Sequence, residues 1–276
     1  MKNTNKYLTL GLAITLLTGG ASKGEIVKFE SQLDALTQLN NGTVEVAIID
    51  SVMAGYYTSN GEFKEKLAIV DNLILASEQY GIAAKKGNSS LIQNINYTLY
   101  SLFENNQYQD IAAKYNLKST DYALSSNAEY TVTATDNSYS NIVTNQKVVI
   151  GYTVFAPIAY TDTTTNKLTG FDVDLANKVF ETLDSNIDVE WLIIDWSAKE
   201  ALLESGTIDL IWNGLTITEQ RQENMEISIP YLNNNQVAVT LKDKVASYDS
   251  KDKLKTAIIG VEDGSAGLDA AEELLK

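Results

Sequence analysis

Hydrophobic and polar positions along this chain follow two periods in turn. Short apolar runs such as VEVAII (44–49), GIAA (81–84), VVIG (148–151), DLIW (209–212) and AIIGV (257–261) read as buried strands. Between them lie stretches with helical spacing, clearest where Ile92, Ile95, Leu99 and Leu102 mark one face. The pattern predicts strands over 26–29, 44–49, 67–70, 81–84, 148–151, 189–194, 209–212, 236–240 and 257–261. It predicts helices over 33–39, 51–57, 91–104, 109–115, 173–183, 198–205 and 267–275, with Ser90 and Asp172 as N-caps. Strands alternating with helices imply an α/β fold. Residues 119–146 are rich in Ser, Thr and Asn without a helical period and read as a linker.

Composition narrows the chemistry. The 276 residues include neither histidine nor cysteine, so imidazole catalysis, Cys/His metal sites, thiol nucleophiles and disulfides are excluded. The net charge of −15 repels nucleic acid and anionic membranes. No glycine-rich phosphate loop is present and no cofactor is expected. At the N-terminus, Lys2 and Lys6 precede an apolar run from Tyr7 to Leu17 and the small residues Gly19 to Ser22. Residues 1–22 therefore read as a secretory signal, too short to span a bilayer. This points to an extracytoplasmic protein.

The stretch GTIDLIWNGLTITEQR (206–221) carries the sharpest functional signal. A buried strand ends at Asn213–Gly214, a threonine-rich turn follows, and Arg221 opens a short helix. Ligands bind at strand ends in open α/β sheets, and an arginine there presents a planar fork that matches a carboxylate. Alone, such a pattern is more often a turn with a solvated arginine.

Its neighbourhood argues for more. GYTVFAPIAY (151–160), GFDVDLANKVF (170–180), residues 189–221, ISIPY (227–231), VAIIDSVMAGY (46–56) and YGIAAKKGNSSLIQNINYTL (80–99) together resemble the polar amino-acid-binding proteins of ABC transporters, solute-binding protein family 3. The resemblance implies a two-lobed, type II periplasmic-binding-protein-like fold, each lobe a sheet flanked by helices. It implies capture of a free amino acid for a membrane permease, by a monomer that is not an enzyme. Family lipoproteins carry a cysteine after a run like LTG; here Gly20 stands in its place, so no lipid anchor is expected.

The pieces come in a rotated order. Residues 24–118 resemble the family's C-terminal part and 147–276 its N-terminal part, as in a circularly permuted chain. On this reading 81–118 with 147–238 build lobe 1, 24–80 with 239–276 build lobe 2, and 119–146 join the old termini. Crossings near Tyr80–Gly81 and Val237–Thr240 form the hinge.

By the same resemblance, Arg221 and Thr216 hold the ligand carboxylate with the turn at Ser265 and Ala266. Asp50 holds the ammonium, assisted by the carbonyls of Asn213 and Gly214. Phe155 packs on the ligand side chain, and Tyr152 reads as lining its pocket, whereas the DWSAKE context leaves Trp196 open between core and pocket rim. Asp50 could equally cap the helix that follows it, and Asp172 and Asp174 read as capping and surface acids. Relatives with basic ligands carry an extra acid beside the first strand; Tyr152–Thr153 stand there, which points to a polar, neutral or sulfur-containing amino acid. Two other classes share the fold: an amino-acid-sensing receptor module, and a dehydratase-like enzyme in which Asp50 would be the general acid.

Overall fold

A computed structural model describes residues 24–125 and 130–276; the signal-like segment 1–22 lies outside them. The chain runs β1 (Glu25–Phe29), α1 (Gln32–Asn40), β2 (Val46–Asp50), α2 (Ser51–Ser59) and a long β3 (Leu67–Lys85). It continues through α3 (Ser89–Glu104), α4 (Gln107–Lys114), α5 (Ser138–Asn145), β4 (Lys147–Tyr152), the short hairpin β5 (Tyr160–Thr161) and β6 (Leu168–Thr169), and α6 (Phe171–Leu183). Then come β7 (Asp188–Ile193), α7 (Lys199–Glu204), β8 (Leu210–Thr216), α8 (Glu219–Asn224), β9 (Met225–Ile227) and β10 (Leu232–Leu241). The last elements are α9 (Lys251–Leu254), β11 (Ile258–Glu262) and α10 (Ala266–Leu275).

The sheet follows the order β1-β11-β2-β10-β3-β8-β4-β7, with β9 on the other edge of β3. It consists of two like halves. In one, β1, β11 and β2 are parallel and β10 closes them antiparallel. In the other, β7, β4 and β8 are parallel and β3 closes them antiparallel. β3 and β10 pair with each other and run through both halves. This is the two-lobed α/β arrangement of type II periplasmic binding proteins. It aims the carboxyl ends of both parallel triplets at the space between the halves.

Burial explains which residues form the strands. All five residues of β2 are buried, as expected of a strand covered on both faces. Likewise every residue of β8 is buried. In α3 the buried face includes Leu91, Ile95, Leu99 and Leu102, one stripe at helical spacing. Ser31, Thr218 and Ser265 accept backbone N–H groups at the starts of α1, α8 and α10.

Three expectations need correction. Residues 67–70 and 81–84 belong to one strand of 19 residues, β3. Its pairing with β10 shifts register on either side of Val237, and Asn72 takes φ 58°, so the period of two is broken where the sequence showed none. The expected linker is also not free. Tyr122 bridges Leu232, the Ala123 N–H donates to the Tyr231 carbonyl, and α5 packs through Ile142. A helix of eight residues, SYSNIVTN, is too short and polar for its period to show. Finally, Ser90 and Asp172 are not N-caps, for both lie within their helices. The start of α3 is held instead by Asp136, which accepts from the Ser90 N–H at 2.7 Å, and by Ser138, which accepts from the Leu91 N–H at 3.0 Å.

Burial works to raise the Asp136 pKa, but hydrogen bonds from the side chains and N–H groups of Ser138 and Ser90 outweigh it and bring it down to about 2. That is below the unfolded value of about 3.9, so the contribution is complete above roughly pH 4 and is lost as pH falls towards about 2. Asp136→Ala is expected to cost about 1 kcal/mol at pH 7, as for loss of a helix-end cap. In urea unfolding the gap between variant and wild type should narrow as pH is lowered from 5 to 2. A gap independent of pH would exclude the ionised cap.

Candidate functional site

Between the two halves lies a small, partly enclosed cavity of about 10 Å³. Each part of its wall follows the carboxyl end of a parallel strand, where the α/β architecture places ligands. Thr153 and Phe155 follow β4, Trp196 follows β7, and Asn213, Gly214 and Thr216 end β8. From the other half come Asp50 at the end of β2, Glu262 at the end of β11, Gln32 from α1, and Ser265 with Ala266 at the start of α10. Arg221, from α8, completes the wall.

Arg221 is the dominant electrostatic feature. It is 8% exposed, and its guanidinium donates to the Thr216 carbonyl at 2.7 Å and the Gly264 carbonyl at 3.4 Å. Among the described residues it has no carboxylate within 4 Å. Burial pushes its pKa down, while Asp269 and Glu200 act at longer range to raise it. A buried charge without a partner is costly, and an anion beside this guanidinium would offset that cost. The first-turn N–H groups of α10, which lack intrahelical acceptors, add to the same positive field.

Asp50 provides the opposite charge. Its oxygens accept from the Tyr80 hydroxyl at 2.7 Å, from Gln236 at 2.9 Å, and from the amides of Gln32 and Asn234. It occupies the N-cap position of α2 but makes no side-chain cap, because these partners hold it towards the sheet. Glu78 stands behind it, accepting from Gln236 at 2.8 Å. Burial and the neighbouring Asp50 charge push the Glu78 carboxyl well above its usual range.

The walls are stiff. Gly214 takes φ +63°, and a Cβ there would sit 2.7 Å from the Phe155 ring and 3.2 Å from Tyr80. Asp172, fully buried within α6, accepts from the Gly214 N–H at 3.0 Å and the Tyr231 hydroxyl at 2.8 Å. It therefore fixes the site from behind rather than capping a helix at the surface. Asn213 Oδ1 accepts from Thr153 N–H and Oγ1 at 2.8 and 3.0 Å, and Nδ2 is buried without a partner among the described residues. Lys199 joins the two halves, its ammonium donating to the Gly264 carbonyl at 2.9 Å while lying 4.9 Å from the Trp196 ring centre. Burial, followed by repulsion from Arg221, lowers its pKa to about 8.

Of the residues singled out in the sequence, the cavity brings together Arg221, Asp50, Thr216, Asn213, Gly214 and Phe155, with Ser265, Ala266 and Trp196. Tyr152 is not among them. It packs edge-on against Trp191, 5.7 Å between ring centres, beside Ala159 and Val173. Strand alternation turns it away from the cavity and presents Thr153 in its stead. Thr153, Gln32 and Glu262 were missed by sequence reasoning. For Glu262 a signal existed: it ends a buried strand just as Asp50 does.

Comparison with known proteins fits this geometry. Residues 148–264 match the model of the bacterial extracellular solute-binding proteins, family 3. Over 121 residues the chain is 34% identical to a probable histidine-binding protein of Neisseria gonorrhoeae, covering 44% of each chain. It is 28% identical over 130 residues to the arginine-binding extracellular protein ArtP of Bacillus subtilis, covering 47% of this chain and 49% of that one. Among solved structures, a substrate-binding protein of an ABC uptake transporter from Streptococcus pneumoniae with bound histidine is 43% identical over 33% of this chain and 36% of that chain, with a TM-score of 0.30. The chain thus spans less than half the length of the curated relatives it matches. Among the described residues no helix is long and apolar enough to cross a membrane. Through residues 148–264 the chain is thus similar to the bacterial extracellular solute-binding proteins, family 3.

Proposed function

We propose that this protein captures a free amino acid outside the cytoplasm, closes its two halves over it, and delivers it to the membrane permease of an ABC transporter. The observation that carries the reading is Arg221, a buried guanidinium without a counter-ion among the described residues, facing Asp50 across one cavity. A zwitterion supplies the missing anion to Arg221 and an ammonium to Asp50, one from each half. Thr216, Ser265 and Ala266 complete the carboxylate cradle. Backbone carbonyls of Asn213 and Gly214 assist Asp50, and Phe155 and Trp196 border the side chain. A ligand that touches both halves shifts the equilibrium towards the closed arrangement. The names of relatives, which mention histidine, arginine and cystine, support an amino acid as the ligand class.

Strand order supports a rotated chain. In the half with β4, the middle strand comes first, the outer β7 second and the inner β8 third. In the other half the outer β1 and inner β2 come first, and the middle strand β11 comes last. Moving residues 147–276 ahead of 24–118 gives both halves the same order. We take this as a circular permutation. The lobes then comprise 81–118 with 147–238, and 24–80 with 239–276.

Calorimetric titration of protein stripped of ligand by unfolding and refolding, against the twenty amino acids and cystine, tests the reading. One or a few should bind saturably, and Arg221→Ala should lose at least about 100-fold in affinity. Because the variant removes an unpaired buried charge, its ligand-free melting temperature should not fall. A large fall with affinity retained would make Arg221 structural. A re-ordered chain, 147–276 joined by a Gly/Ser linker to 24–118, should unfold cooperatively and bind the same amino acid. A re-ordered chain that does not fold would count against the permutation alone.

A further inference from the structure

Capture of a simple zwitterion leaves one buried acid of the cavity unused. Glu262 is 3% exposed and lines the cavity, and its Oε1 has no hydrogen-bond partner among the described residues. Gln32 stands between the two carboxylates. Its amide nitrogen donates to Asp50 and its amide oxygen accepts from the Asp50 N–H at 2.9 Å. Lys199 acts on Glu262 only through space, since its ammonium is held by the carbonyls of Trp196 and Gly264. Burial, with the neighbouring Asp50 charge, pushes the Glu262 carboxyl up to about 8.

The unpartnered oxygen then points to the ligand. Its carboxylate answers Arg221 and its α-ammonium answers Asp50, so Glu262 Oε1 stays without a partner among the described residues unless the ligand brings a further donor, and a cationic donor favours the ionised carboxylate that burial opposes. The other walls suit one, because Phe155 and Trp196 present aromatic surface to the same space, and cations are attracted to ring faces. We propose that Glu262 is the specificity-determining residue, accepting a hydrogen bond from a cationic nitrogen on the ligand side chain, so that the site takes a basic amino acid. The inference rests on the amino-acid reading above. It reverses the expectation drawn from Tyr152–Thr153: the acid is supplied by the opposite half, at the end of β11.

The test compares charged and neutral ligands of like shape, L-arginine with L-citrulline and L-lysine with L-norleucine, by titration of wild type and Glu262→Gln. Wild type should bind at least one charged member about tenfold or more tightly than its neutral counterpart, and Glu262→Gln should bring that ratio close to one. Affinity for the neutral ligand should stay within a few-fold, which also reports an intact cleft. Preference of the wild type for the neutral ligands, or a ratio unchanged in the variant, would overturn the proposal while leaving amino-acid capture standing. An equal loss for charged and neutral ligands would instead make Glu262 a second acceptor for the α-ammonium. Binding of no amino acid by the wild type would overturn both readings.

Discussion

A guanidinium shut away from water, with no carboxylate beside it among the described residues, is the constraint around which this molecule is arranged. Arg221 donates to backbone carbonyls, Thr216 from its own half and Gly264 from the other. Neutral acceptors satisfy its N–H groups without answering its charge, so the closed cleft is electrostatically incomplete. Across the cavity three carboxyl groups, Asp50, Glu78 and Glu262, gather on one half, where burial and the Asp50 charge push the latter two well above their usual range. Arg221 on one wall and Asp50 on the other place opposite charges about one cavity.

The fold makes this opposition possible. Each half is a parallel triplet whose carboxyl ends meet the cleft, and β3 and β10 are common to both halves. Those two strands give a continuous antiparallel bridge, beside which the halves touch through Lys199 and the Gly264 carbonyl and through Tyr56 and Tyr160, 5.8 Å between ring centres. Contacts of this kind exist only when the halves are together. Behind the wall, Asp172 holds the Gly214 N–H and is itself held by the Tyr231 hydroxyl.

Much of this was legible from sequence because strand ends in an α/β protein are sites by construction. The run GTIDLIWNGLTITEQR announced its own turn, and VEVAII ending at Asp50 announced a carboxylate at a strand mouth. The same rule applied to AIIGVE would have found Glu262. The GSAG turn that follows carries the stronger local signal, for backbone N–H groups at a helix start. Tyr152 was misplaced because alternation within β4 decides which of two neighbours faces the cleft, and only the paired sheet fixes that phase. Asp172 read as a surface cap, since nothing local shows that its partners, Gly214 and Tyr231, lie 42 and 59 residues away. Helix α5 escaped notice because its hold on the body is polar, through Asp136 and Ser138 on the start of α3.

The most direct test of the central claim is native mass spectrometry of the purified protein, before and after refolding and addition of an equimolar amino-acid mixture. The account predicts a single adduct with the mass of one amino acid, retained in wild type and missing from Arg221→Ala. A wild-type protein that stays folded and takes up no amino acid from the mixture, or an Arg221→Ala protein that carries the same adduct, would contradict it.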